Sequence, residues 1–256
     1  MDREIVVLPD LNAVAREAAD RVAEVARRAI AAQGRFIIAL SGGSTPRALF
    51  ALLASDAYRG RVEWDQTIVF WSDERCVPPD HPDSNFRLAN ETLLSKVPIP
   101  AGNVHRLRGE TNPEQAALEY EQAIRREIGA PPSAGPGMPA SAGTPSFDLI
   151  LLGMGPDGHT ASLFPGSPAL HARVRLVVAS SVPKSSAKRL TFTPLLVNAA
   201  AHVLFMVAGA DKADVLRAVL EGALKPDVLP AQIAKPVSGQ LTWLVDRAAG
   251  ARLQNR

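Results

Sequence analysis

The sequence predicts an α/β protein built on an open, largely parallel sheet with helices on both faces. Short apolar runs without polar alternation recur along the chain, as in Phe36-Ile37-Ile38-Ala39-Leu40, and such runs mark strands covered on both sides. Between them lie segments whose apolar residues return every three or four positions, the period of an amphipathic helix. The two kinds of segment alternate with no internal repeat, the rhythm of strand-helix-strand units.

Asp10 is a capping residue placed before Leu11, Val14, Ala18, Val22, Val25 and Ala29, which form the apolar stripe of a first helix, and Gly34 is placed to end it. The strand at 36–40 follows. Further strands are expected at 67–71, 147–152, 175–179, 203–207 and 241–245, and helices at 46–54, 84–94, 114–128 and 212–220. The one compositional break is 130–146, where 15 of 17 residues are Ala, Gly, Pro or Ser and five are prolines. Such a stretch forms no packed helix or strand. Because the rhythm resumes after it, it reads as a flexible surface insertion in a single domain spanning 1–256.

Composition excludes several classes of function. The chain has 256 residues, 46% hydrophobic and 21% charged, with a formal net charge of +2. That balance gives no electrostatic reason to expect nucleic acid or a membrane surface as partner. Cys76 is the only cysteine, which rules out an intrachain disulfide and a multi-cysteine zinc site. The first residues lack the hydrophobic stretch of a signal peptide, and no apolar run reaches membrane-spanning length. The expectation is a cytoplasmic protein.

Ligand loops in such folds lie beyond the carboxyl ends of the strands, and four segments with chemical content fall there. Ser41-Gly42-Gly43-Ser44-Thr45-Pro46 joins the strand ending at Leu40 to a helix. Gly42 and Gly43 permit a sharp turn and close approach of a ligand. Pro46 suits the first helical position. Helix-start N–H groups and the hydroxyls of Ser44 and Thr45 make an anion cradle, or else an ordinary capped turn. No lysine completes a Walker A loop.

Trp71-Ser72-Asp73-Glu74-Arg75 with Asp83-Ser84-Asn85 places three charges directly after a strand. Arg75 is suited to grip a phosphate or carboxylate, Asp73 to bind sugar hydroxyls, and Asn85 to donate or accept. The alternative is a solvated turn with a surface ion pair. The most informative segment is Gly153-Met154-Gly155-Pro156-Asp157-Gly158-His159-Thr160. Its glycines bend the loop so that Asp157 and His159 project into a cleft, and histidine is the natural general base near neutral pH. Whether Asp157 turns back to the ring is open. His81, His105, His171 and His202 stand outside metal-ligand spacing from it, so metal-free chemistry is expected. Finally, Arg189 precedes a strand-like stretch, and Lys212 opens a helix, where a cation opposes the dipole unless an anion binds there.

Together these pieces resemble the 6-phosphogluconolactonase family. The matching stretches are SGGSTP at 41–46, DERCVPP at 73–79 with SN at 84–85, GMGPDGHTASLFPG at 153–166, RLTFT at 189–193, GADKADVL at 209–216, LPAQ at 229–232 and Trp243. The resemblance implies a fold shared with hexosamine-phosphate deaminases and ribose-phosphate isomerases. It implies cofactor-free hydrolysis of 6-phosphogluconolactone to 6-phosphogluconate, the second step of the oxidative pentose phosphate pathway, so the expected partner is a small sugar-phosphate lactone. It also implies a catalytic histidine at His159 with its aspartate at Asp157. The phosphate loop would be Gly42, Gly43, Ser44 and Thr45, and the basic contacts Arg75, Arg189 and Lys212.

Hexosamine-6-phosphate deaminases are the nearest rival reading. They carry an acidic residue shortly after the Asp-Gly-His motif, whereas here Thr160-Ala161-Ser162-Leu163-Phe164-Pro165 contains no carboxylate. A non-catalytic sugar-phosphate sensor is disfavoured because no basic helix-turn-helix extension flanks the α/β region.

Overall fold

The computed structural model describes residues 3–129, 143–183 and 185–254. In chain order the elements are β1 (Arg3–Leu8), α1 (Leu11–Gln33), β2 (Phe36–Leu40), α2 (Ser44–Leu53), β3 (Thr67–Trp71), β4 (Asp73–Arg75), α3 (Asn85–Thr92) and α4 (Pro113–Ile128). There follow β5 (Leu149–Leu152), β6 (Val177–Ser181), β7 (Lys188–Phe192), α5 (Pro194–Val197), β8 (His202–Val207), α6 (Ala213–Glu221) and β9 (Gln240–Asp246).

Six strands form one sheet in the order β1-β9-β8-β5-β2-β3, every neighbouring pair parallel. All residues of β2 and β5 are buried, as expected of strands covered on both faces. Adjacent residues of a strand point to opposite faces, and their partners show the layering. Trp71 meets Phe86 of α3 edge-on, whereas Phe70 meets Tyr120 of α4. In β9, Thr242 lies against Arg21 of α1, while Trp243 stacks on Phe205 and shares a cavity with α6 residues. Helices therefore cover both faces.

The first helix forms as its sequence dictates. Asp10, in extended backbone, accepts from the Ala13 N–H at 2.8 Å, and Gly34 closes the far end at φ +74°.

Several boundaries depart from the sequence reading. The helix expected from 46 begins at Ser44, so Pro46 is its third residue; it still falls in the first turn, where no N–H is needed. Ser84 is the cap of α3, its hydroxyl accepting from the Arg87 N–H at 3.1 Å. Lys212 caps α6 after a 3-10 turn at Ala210–Lys212. The strand expected at 175–179 runs instead over Val177–Ser181 and lies outside the parallel sheet. It pairs antiparallel with β7, which pairs with β4, in a separate three-stranded sheet. The main chain joins the two sheets: the Ser72 N–H donates to Leu40 O and the Phe192 N–H to Ser72 O, both at 2.8 Å. The edge strand β1 was not anticipated. Residues 130–142 of the expected insertion at 130–146 lie outside the described residues.

Candidate active site

The carboxyl ends of β2, β3, β5 and β8 and the small sheet surround a cleft of about 390 Å³. All four motifs reach it: Ser41 to Pro46, Asp73, Arg75 and Asn85, Gly153 to Gly155 with His159, and Arg189 with Lys212. Asp157 belongs to it through the histidine.

The loop after β5 folds on itself, with the Gly155 N–H donating to His159 O at 2.9 Å and the Gly158 N–H to Gly155 O at 3.1 Å. Gly158 sits at φ +79°, a left-handed turn that glycine adopts without strain. Gly155 is fixed by space, since a Cβ there would stand 2.1 Å from His159 Nδ1. The open question about Asp157 is answered by geometry: its Oδ1 lies 2.5 Å from His159 Nδ1 and also accepts the His159 N–H at 3.2 Å. A carboxylate at Nδ1 holds the proton on that nitrogen and leaves Nε2 as the basic one. Burial raises the Asp157 carboxyl, but its hydrogen bond and charge interaction with His159 outweigh this, so its pKa is lowered overall. Phe164 lies beside the imidazole, ring centroids 4.8 Å apart.

Two further groups hold this loop in place. Thr160 Oγ1 donates to Gly153 O at 2.9 Å. Ser162 donates its hydroxyl to Asp73 Oδ2 at 2.7 Å, and its N–H to Thr191 Oγ1 at 3.2 Å. Between them Ala161 takes φ +47°, the one non-glycine residue with positive φ among those described. Such a conformation costs about 1–3 kcal/mol and persists only where its surroundings enforce it.

Asp73 thus joins elements distant in sequence. Besides Ser162, it accepts from Asn85 Nδ2 at 3.3 Å through Oδ1 and at 2.9 Å through its backbone carbonyl. Asn85 in turn packs on the glycine loop, where a Cβ at Gly42 would fall 1.7 Å from its Oδ1. The three charges after β3 are therefore not a solvated turn. Asp73 is 8% and Glu74 2% exposed. Glu74 accepts from the N–H groups of Arg75, Asn85 and Phe86 and from Ser84 Oγ, so it caps α3 from beneath. Burial pushes its carboxyl pKa up, against the pull of those backbone donors.

On the glycine loop, Gly43 has φ +111° and no side chain caps the start of α2. The first-turn N–H groups and helix dipole are thus directed to the cleft. Ser41, buried at the same edge, has a hydroxyl with no protein partner among the described residues. Three cations border the cleft. Arg75 and Arg189 are register partners across β4 and β7. Arg75 donates to Asp83 O, and neither guanidinium has a carboxylate within ion-pair distance among the described residues. Burial, and then the Arg75 charge, hold the Arg189 guanidinium below its ordinary pKa. Lys212 pairs with Asp211 at 2.9 Å. An unneutralised guanidinium pair beside a helix N-terminus favours an anionic ligand.

The site residues named from sequence all meet here, though Asn85 and Asp73 also bind each other and brace the loops. Sequence reasoning missed Glu74 as a buried cap, Ser162 and Thr191 as loop anchors, and Ser41. Only the cap had a local signal, the Ser84-Asn85 helix start. His202 opens β8. Among the described residues no three His, Cys, Asp or Glu side chains gather as a metal-ligand set, and no helix is long and apolar enough to cross a membrane.

The chain is similar to known proteins over nearly its whole length. Residues 9–243 match the family described as glucosamine-6-phosphate isomerases/6-phosphogluconolactonase. The chain is 41% identical over 254 residues to a 6-phosphogluconolactonase of Nostoc sp., covering 99% of each. It superposes on the 6-phosphogluconolactonase structure from Trypanosoma cruzi with a TM-score of 0.86 at 29% identity, covering 99% of this chain and 98% of that one. A monomeric glucosamine-6-phosphate deaminase shares the fold, with a TM-score of 0.77 at 20% identity over 98% of this chain and 100% of the other.

Proposed function

The chain belongs to the glucosamine-6-phosphate isomerase/6-phosphogluconolactonase family, and on that premise we propose that it hydrolyses 6-phosphoglucono-δ-lactone to 6-phosphogluconate. In the oxidative pentose phosphate pathway this is the second step. The observation that carries the reading is the Asp157–His159 pair in the same cleft as Arg75, Arg189, Lys212 and the uncapped start of α2. The cleft offers a base together with donors and positive charge for a phosphate.

In this mechanism His159 Nε2 takes a proton from water as its oxygen attacks the lactone carbonyl carbon. Asp157 fixes the tautomer and stabilises the imidazolium. The carbonyl oxygen becomes an oxyanion, stabilised by Arg75 or by the N–H groups of Gly153 and Met154. When the intermediate collapses, the bond from the carbonyl carbon to the ring oxygen breaks, and the imidazolium returns its proton to that oxygen. The product is an open-chain acid with a new hydroxyl. Phosphate contacts at Ser44, Thr45, Arg189 and Lys212 hold the lactone in line for attack.

Deamination of a hexosamine phosphate is the competing chemistry. The residues that follow His159 into the cleft are Ala161, Ser162 and Phe164, none acidic, which favours hydrolysis. The discriminating experiment presents the purified protein with freshly generated 6-phosphogluconolactone and, separately, glucosamine 6-phosphate. The proposal expects lactone hydrolysis far above the spontaneous rate and no ammonia release. Ammonia release without lactone hydrolysis would overturn it.

A further inference from the structure

A second and larger cavity, of about 590 Å³, lies by the amino ends of the edge strand β1 and its neighbour β9. Its size falls within the ordinary range for small-molecule sites. Trp243 and Leu241 of β9 form one wall, and Val219 and Leu220 of α6 face them. None of the described residues lining it is acidic.

The polar groups on this cavity are unbalanced in one direction. Gln232 is fully committed within the protein. Its Nε2 donates to the carbonyls of Ala218, Val219 and Ala223, and its Oε1 accepts the Lys225 N–H. The polar side chains that remain are donors. Trp243 is 2% exposed, and its Nε1–H is buried without an acceptor among the described residues. Lys235 has no ion-pair partner among them, and Arg3 gives one hydrogen bond, to Leu220 O, and no ion pair. The rim adds apolar surface, since Leu224, which lines the cavity, is 61% exposed, and Val237, next to Pro236 on its wall, is 55% exposed.

We propose that this cavity is a second binding site, for a small amphipathic carboxylate. The apolar body lies between β9 and α6 against the indole. The carboxylate lies against the cationic groups of Lys235 and Arg3. A sugar phosphate is a poor fit, because the apolar wall leaves its hydroxyls unpaired. The site shares no lining residue with the catalytic cleft. Its test is also independent of whether the protein is a lactonase.

The test uses 4-phenylbutyrate as probe and the indole N–H resonances of the ¹⁵N-labelled full chain as readout. The chain has three tryptophans, and loss of one signal in Trp243→Phe makes the assignment. The expected result is a saturable shift of the Trp243 indole signal while that of Trp64, bonded to Arg59 O, stays fixed. Affinity should fall tenfold or more for the neutral 4-phenylbutan-1-ol and for the exposed variant Lys235→Glu. Inorganic phosphate, which would occupy the catalytic cleft, should not displace the probe. The proposal is overturned by the absence of a saturable shift, or by equal affinity for the alcohol or in Lys235→Glu. Displacement by phosphate would also overturn it. So would sedimentation showing that a second copy of the chain covers Trp243.

Discussion

Replacing Gly155 with alanine tests how far catalysis depends on the placement of the histidine. The added Cβ would lie 2.1 Å from His159 Nδ1, 2.2 Å from Cε1 and 2.8 Å from Asp157 Oδ1. Non-bonded heavy atoms rest about 3.5–4.0 Å apart, so the ring withdraws by more than about 1 Å and the 2.5 Å contact to Asp157 breaks. Gly155 has no positive φ, so the backbone itself accepts alanine. A misplacement of about 1 Å costs about 10²-fold in rate, and a general base contributes about 10²–10⁴-fold in all. Between these bounds kcat should fall about 10²–10³-fold. KM should hold, because the phosphate contacts stand on other loops. Proton release from freshly made lactone, followed in a pH-stat with the spontaneous rate subtracted, gives both constants, and thermal unfolding checks that the variant is folded. A folded variant with unchanged kcat, or with its whole loss in KM, would refute the reasoning.

Three other expectations follow from the same contacts. Arg189→Ala and Lys212→Ala each remove a charge-assisted bond worth about 1.5–3 kcal/mol, so kcat/KM should fall about 10–100-fold, mostly through KM; unchanged KM in both would remove them from phosphate binding. Gly42→Ala drives a Cβ to 1.7 Å from Asn85 Oδ1, so it should lower Tm and raise KM, and adding Asn85→Ala should restore part of the Tm; no recovery would point to backbone strain instead. Glu121 of α4 accepts from Arg175 Nε at 2.8 Å, the Leu176 N–H at 2.9 Å and Arg125 Nη2 at 3.1 Å. Burial raises its pKa, but these partners outweigh it and leave it lowered. Its contribution, about 1–2 kcal/mol, is thus present above the ordinary value of 4.5 and fades as pH falls through the lower folded value. The stability gap between wild type and Glu121→Gln, measured by denaturant unfolding, should be full at neutral pH and close in acid. A gap that is flat with pH would contradict this.

What the sequence could reveal was decided by distance along the chain. Apolar runs, broken only by Thr67 and Thr242, made the buried strands β2, β3, β5, β8 and β9 legible, because burial on both faces leaves little place for polar residues. The edge strand β1 was not legible, since it opens Arg3-Glu4 and is only partly buried. Nor was the small sheet. The three residues of β4 are all charged, and pairing with Thr191, Leu190 and Arg189 makes them a strand. In the site, Asp157 and His159 are two residues apart, so their partnership could be suspected, though the turn that closes it could not. The Ser162 to Asp73 bond spans 89 positions, and nothing local announces it. Glu74 misled for a related reason. A carboxylate beside two other charges looks solvated until the helix whose N–H groups it accepts is folded over it.

The central claim is that His159 is the base in lactone hydrolysis, and the rate of the His159→Ala variant on fresh 6-phosphogluconolactone tests it most directly. A folded variant should lose about 10²–10⁴-fold relative to wild type and approach the spontaneous rate. A folded variant that hydrolyses the lactone as fast as wild type would remove His159 from the chemistry and contradict the account.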